Sequence, residues 1–196
     1  MNTMGRKPKT TTASNRARIL DTTARLIKER GISGISLADI AAAVNMSKGT
    51  LHYYYPSKSE LIFDIAEQSM NHMTQKIFRW VDKSRQASSP EDILKVVLEA
   101  ILKARSRGQI HLYLIMEAFG DEGLRKRFCD EYTKWLAMIR TGLDSILPAG
   151  KDTALLAQAV LIAIYGLLLG SLLGAPRPPL DKISHFLFSI PVPPAP

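Results

Sequence analysis

Along most of the chain apolar residues return every three or four positions, in stretches closed by Gly or Pro, while alternating strand-type runs bounded by hairpin signals are absent. That spacing predicts helices throughout. Ser14 caps a first helix whose stripe is Ala17, Leu20, Ala24 and Ile27, and Gly31 supplies a left-handed stop. A second helix with its body at 37–44 is announced by Ser36 at the cap, Asp39 three residues on, and Ile35 with Ile40 as a hydrophobic staple. Only Asn45 and Met46 then precede Ser47, the next cap residue, so the chain must turn sharply. Asn is one of the few residues besides Gly that tolerate the left-handed conformation such a turn needs. The third helix runs from Lys48 to about Tyr54 and stops at Pro56. Ser57-Lys58-Ser59-Glu60 is a capping box opening a long helix with the stripe Ile62, Ile65, Ala66, Ser69, Met73, Ile77 and Trp80. Further helices are expected at 90–106, 109–119, 122–146, 153–174 and 180–189.

Composition narrows the class. With 196 residues the chain can hold one good core or two small ones, and 46% hydrophobic against 22% charged residues is ordinary globular usage. Residues 1–60 hold 10 basic and 4 acidic side chains and residues 61–196 hold 16 and 14, so +6 of the net +8 sits in the first third. A basic segment built to meet a polyanion is thereby joined to a nearly neutral one. Residues 1–12 read as a disordered basic arm and 191–196 as a Pro-rich tail. The single Cys129 excludes an intrachain disulfide, and His52, His72, His111 and His185 are too scattered for metal ligation. No cofactor or metal is called for, no nucleophile, phosphate-loop or zinc-hydrolase motif marks an enzyme, and the basic polar start lacks the apolar core of a secretory signal. A cytoplasmic, non-enzymatic protein is the expectation. Residues 153–176 carry no charge and are long enough to span a bilayer, but Gln158, the Pro-rich end and the lack of a Trp belt favour a helix buried in protein or in an oligomer.

Two short helices joined by a tight turn, with a third before them, form the arrangement that lays its second helix in a DNA major groove. Ile40, Ala41, Ala42, Ala43 and Val44 supply small inward residues for close packing of the reading helix. Ser47, Lys48, Gly49 and Thr50 lie at that helix's N-terminus, where small size permits approach and hydroxyl or ammonium groups reach bases and phosphates. Of the aromatic run His52, Tyr53, Tyr54 and Tyr55, the last should be buried with Leu51 on one i, i+4 face, which leaves Tyr53 favoured for DNA. Lys58 begins a helix whose free N–H groups favour a phosphate. Arg6, Lys7, Lys9, Arg16 and Arg18 are candidates for backbone or minor-groove contact from the arm and first helix.

The stretch Gly34-Ile35-Ser36-Leu37-Ala38-Asp39-Ile40-Ala41-Ala42-Ala43-Val44-Asn45-Met46-Ser47-Lys48-Gly49-Thr50-Leu51-His52-Tyr53-Tyr54-Tyr55-Pro56-Ser57-Lys58-Ser59-Glu60-Leu61 resembles the tetracycline-repressor (TetR) family of transcriptional regulators, over roughly Ala13 to Met70. The resemblance implies an all-α protein with a three-helix helix-turn-helix DNA-binding domain at 13–58 and a helical ligand-binding and dimerisation domain at 59–190. It implies DNA contacts from Ser36, Lys48, Gly49, Thr50 and Lys58. Two positions depart from the family pattern: Asn45 stands for Gly, and His52 for a phosphate-contacting Tyr, leaving His52 and Tyr53 as alternatives. A homodimer is implied, with Ala159, Ala163, Gly166, Gly170 and Gly174 as a smooth strip beside Ile183 and Phe186. So is a small organic effector, for which Met73, Ile77, Trp80, Tyr113, Met116, Glu117, Phe119, Trp135 and Ile139 are the candidate contacts, although Met and aromatic stripes at this spacing are more often core filling. The expected function is a homodimeric repressor on a palindromic double-stranded DNA operator. The alternative is a membrane-associated or non-specific architectural DNA-binding protein without an effector.

Overall fold

A computed structural model describes residues 12–103, 105–148 and 152–189; most of the basic arm and the Pro-rich tail lie outside the described residues. Among these the elements are helices α1 (Thr12–Arg30), α2 (Leu37–Ala43), α3 (Lys48–Tyr54), α4 (Lys58–Ser84), α5 (Pro90–Leu102), α6 (Arg105–Ala118), α7 (Glu122–Ile146), α8 (Ala154–Leu173) and α9 (Leu180–Ser189). The chain divides into two compact units after Ile65.

In the first unit α1 buries Ile19, Leu20, Thr23, Leu26 and Ile27, while Ala17 and Ala24 from the expected stripe are exposed. The larger Ile19 and Leu26 remove more apolar surface from water, and the helix rotates toward them. Thr23 is tolerated inside because its hydroxyl donates to the Ile19 carbonyl at 2.7 Å. Gly31, at φ 74°, ends the helix with its N–H on the Ile27 carbonyl. Ile35, Ile40, Ala41, Val44, Leu51, Tyr55, Leu61, Ile62, Phe63 and Ile65 complete this core. Ala42 and Ala43, expected to face inward, are exposed, since a helix of 7 residues can bury only one face.

The second unit packs Leu94, Leu98 and Leu102 of α5 with Leu143 of α7, Leu156, Ala157 and Val160 of α8, and Leu180 and Leu187 of α9. Ser89 caps α5 on the Asp92 N–H with Pro90 in the first helical turn. α5 ends at Leu102 and α6 starts at Arg105, both earlier than expected. Gly108, in the gap expected between helices 90–106 and 109–119, is an interior residue of α6: a Cβ there would come 2.6 Å from Leu168 of α8, so the glycine serves close packing. Beside this contact His111 stacks among Phe128, Trp135 and Tyr165, with ring centroids 5.1–5.2 Å away. Burial pushes its imidazole down to about 4.

Candidate nucleic-acid interface

The turn between α2 and α3 is fixed by backbone chemistry. Asn45 adopts φ 53°, its N–H reaches the Ala42 carbonyl at 3.0 Å, and the Met46 N–H reaches that of Ala41 at 2.9 Å. This pair of bonds is a Schellman motif with Asn in the left-handed position, so the departure from Gly keeps the turn. The next residue, Ser47, caps α3 by accepting the Thr50 N–H at 3.0 Å, and the Ser47 and Thr50 hydroxyls lie 2.8 Å apart. One step back, Ser36 closes a full capping box: its backbone N–H donates to the Asp39 carboxylate at 2.9 Å and its Oγ accepts the Asp39 N–H at 3.2 Å. The Ser36 bonds hold the Asp39 carboxyl below the usual range.

The far end of α3 is tied down by one carboxylate. Asp64 of α4 accepts the buried Tyr55 hydroxyl at 3.0 Å and the Arg16 guanidinium at 2.5 Å, and the Arg16 carbon sits 4.9 Å over the Tyr55 ring. Burial, with Asp64 adding to it, pushes the Tyr55 phenol up to about 12, and the Asp64 bond raises Arg16 further. Arg16, a candidate for DNA contact, thereby joins α1 to α3 and α4 through one nitrogen of its guanidinium. Tyr54 accepts from the Asn15 amide at 3.2 Å. The Lys58 ammonium donates to the Ile32 carbonyl at 2.6 Å, which closes the loop before α2 onto the start of α4, behind the cap made by Ser57 on the Glu60 N–H.

With Leu51 and Tyr55 both 1% exposed, α3 turns the rest of its surface outward. Ser47, Lys48, Gly49, Thr50, His52 and Tyr53 are all exposed, Tyr53 at 82%, edge-on against Tyr54. A Cβ on Gly49 would meet nothing nearer than the Ser47 Oγ at 3.9 Å, so the fold itself has no use for a glycine that costs the helix about 0.5–1 kcal/mol. The arrangement offers a hydroxyl pair, one ammonium, a bare backbone patch and two polar rings on a single rigid helix, which suits phosphate and base edges.

In the second unit a cavity of about 320 Å³ opens between α4, α5 and α6. Met73, Ile77 and Trp80 line it as the sequence pattern suggests; His72, Lys76 and Arg107 line it too, and no periodic signal singles these out. The i, i+4 spacing of His72 and Lys76 beside that apolar stripe is the one local hint. The remaining pocket candidates lie elsewhere. Met116 and Phe119 are 63% and 77% exposed, Glu117 is exposed, Tyr113 is half-buried outside the cavity lining, Trp135 belongs to the His111 cluster, and Ile139 packs on the α5–α7–α8–α9 core. In α8, Ala159 and Ala163 are half-buried against that same core, as is Ile183 of α9. Gly174 is the left-handed cap of α8 at φ 78°, so its glycine is explained by the turn rather than by a neighbour. Gly170 is half-buried beside Ala175, whereas Gly166 and Phe186 face outward. Leu155, Ile162, Leu169 and Leu173, not singled out by the small-residue spacing, are 47–76% exposed on the same side as Gly166. One helix among the described residues, α8, is long and apolar enough to cross a membrane, with 22% of its apolar window buried.

A family model described as "Bacterial regulatory proteins, tetR family" matches residues 19–65. A relative from Shigella flexneri, the HTH-type transcriptional regulator AcrR, is 31% identical over 99 residues, 50% of this chain and 44% of that protein, so the match spans less than half the relative's length. Two solved structures share the fold. A transcriptional regulator from Saccharomonospora viridis in complex with choline has TM-score 0.65 and 24% identity over 91% of this chain and 95% of that one. Thermus thermophilus FadR, a TetR-family repressor in complex with lauroyl-CoA, has TM-score 0.66 and 18% identity over 89% of this chain and 92% of that one.

Proposed function

We propose that this chain, whose residues 19–65 match the model of bacterial regulatory proteins of the tetR family, is a TetR-family regulator of transcription: ligand-responsive, DNA-binding and acting in the cytoplasm. It works as a homodimeric repressor on a palindromic operator and lets go when a small organic effector binds. The observation that carries this reading is the outward face of α3, where Ser47, Lys48, Gly49, Thr50, His52 and Tyr53 stand exposed on a helix held from beneath by Leu51 and Tyr55. Ser36 and Lys58 flank that face, with their side chains engaged in the cap and the loop closure described above.

A palindrome requires two copies. Residues 155, 159, 162, 166, 169 and 173 of α8 recur at alternating four- and three-residue intervals, the spacing of a coiled-coil seam, with bulky Leu155, Ile162 and Leu169 between small Ala159 and Gly166. A Cβ on Gly166 would meet nothing within 4 Å inside the chain, so its place in mid-helix also asks for an external neighbour. A second copy of α8, with Phe186 of α9 alongside, satisfies it. The effector site is the cavity between α4, α5 and α6; the neighbours that hold choline and lauroyl-CoA support only that proteins of this fold take small organic ligands of more than one charge. Occupancy moves α4, which carries both the cavity residues and the capped start behind the reading helix. A hundredfold loss of operator affinity needs only ~2.7 kcal/mol of preference between two states. The length and hydropathy of α8 would also suit a bilayer, and a detergent-free dimer of purified protein discriminates against that second reading.

Selection of bound sequences from random DNA tests the proposal. A palindromic consensus retained at physiological salt is the expected result. Binding without sequence enrichment, falling with salt equally for every duplex, would overturn it.

A further inference from the structure

We infer that the cavity between α4, α5 and α6 takes a small amphipathic organic anion, held by Arg107 and Lys76 at its polar side and by Trp80 and its neighbours along its apolar wall. This deepens the effector reading and rests on it. The cavity walls are predominantly hydrophobic: Met73, Ile77 and Trp80 come from α4 and Val96 and Val97 from α5. The charged groups in the lining are all of one kind. Lys76 and Arg107 are cations, His72 stands one helical turn before Lys76, and none of the ten lining residues is acidic. Asp82 and Glu99 belong to the same helices but not to the lining.

Arg107 is the better placed of the two cations. It is half-buried, and its Nη2 donates to the Ala100 carbonyl at 3.3 Å, which anchors the guanidinium to α5 at the cavity wall. An arginine carries five N–H donors in a planar fork that matches a carboxylate, so one bond to a carbonyl orients the fork without exhausting it. Two cations beside an apolar wall repel a quaternary ammonium and attract a carboxylate at close range. The volume, about 320 Å³, lies at the lower end of small-molecule sites and corresponds to on the order of ten water-sized groups. A carboxylate with a short alkyl or aryl tail fits both the charge and the size.

The experiment compares three probes that share one tail: octanoate, 1-octanol and octyltrimethylammonium, titrated calorimetrically into the full-length protein. Octanoate should bind roughly tenfold or more tightly than either of the others, as expected of a charge-assisted hydrogen bond. Arg107→Gln should bring octanoate down to the level of octanol. Lys76→Gln, at an exposed position where folding is not at stake, should weaken it severalfold. In Trp135→Phe protein, Trp80 is the one remaining tryptophan, and its fluorescence should change with octanoate and place the ligand in this cavity. Tighter binding of octyltrimethylammonium, octanoate binding insensitive to both cation substitutions, or a silent Trp80 would each overturn the inference. Operator anisotropy separates the two readings. Octanoate that binds in the cavity without releasing DNA refutes the effector role while leaving the anion site standing, and operator binding by a protein blind to octanoate does the reverse.

Discussion

Replacing Gly166 by leucine sets what the helix prefers against what its proposed partner allows. Inside one protomer the substitution is free of clashes, because a Cβ built at 166 meets no atom within 4 Å. Removing a glycine from mid-helix should even favour α8 by about 0.5–1 kcal/mol. Across the proposed seam, however, Gly166 is one of the gaps between Ile162 and Leu169, which are 66% and 47% exposed. Filling such a gap costs about 1–3 kcal/mol for each overpacked site. Two-fold symmetry presents the change twice, so dimerisation should weaken by about 2–6 kcal/mol, or roughly 30- to 10⁴-fold. Sedimentation of Gly166→Leu against wild type from nanomolar to tens of micromolar concentration reads this directly, with circular dichroism to verify that helicity is kept. Gly166→Ala, adding one methyl, should fall between them. A leucine variant that dimerises as tightly as wild type, or a wild type that stays monomeric throughout, would refute the pairing of α8.

Three further outcomes are expected. Lys48→Ala should lower affinity by a similar factor for every DNA sequence and reduce the salt slope by about 1, and an unchanged slope would remove Lys48 from the phosphate contacts. Gly49→Ala should stabilise the first unit by about 0.5–1 kcal/mol while weakening operator binding; a gain in both would mean that nothing approaches the backbone there. His111 governs an acid-sensitive part of stability: its imidazole is held down to about 4 against 6.5 for the free side chain, so between those values the unfolded chain takes up a proton that the folded one refuses. Stability is therefore lost as pH falls from about 6.5 to about 4, by at most about 3 kcal/mol. His111→Phe should flatten that loss in denaturant titrations at pH 7 and 4.5, and an identical loss in both proteins would exclude His111 as its source.

What could be read in the sequence was what is decided within a few residues. Ser36 with Asp39, the Ser47 cap and the left-handed Asn45 each follow from local bonds that do not depend on the rest of the fold. The exposed reading face followed as well, because burying Leu51 and Tyr55 leaves the other side of a short helix nowhere to go but outward. Features joining distant helices were not legible. That Gly108 admits Leu168, that Arg16 reaches Asp64, and that Arg107 lines the cavity of Met73 and Trp80 depend on the register of helices brought together only by packing. Leu20 and Ile27 of the α1 stripe are buried as expected, but Ala17 and Ala24 are not, since small alanines give a periodic signal but little energy, and the core took Ile19 and Leu26.

The bare side of α8, with leucines at 155, 169 and 173 and isoleucine at 162 open to water in a lone chain, has a consequence for abundance. On the proposed pairing, a newly translated copy would keep this apolar strip open to water until it met a second one. If the proposed dimer is the form that binds DNA, then while copies are scarce its amount should grow with the square of the rate of synthesis, so a regulated gene would respond more steeply than in proportion to dose.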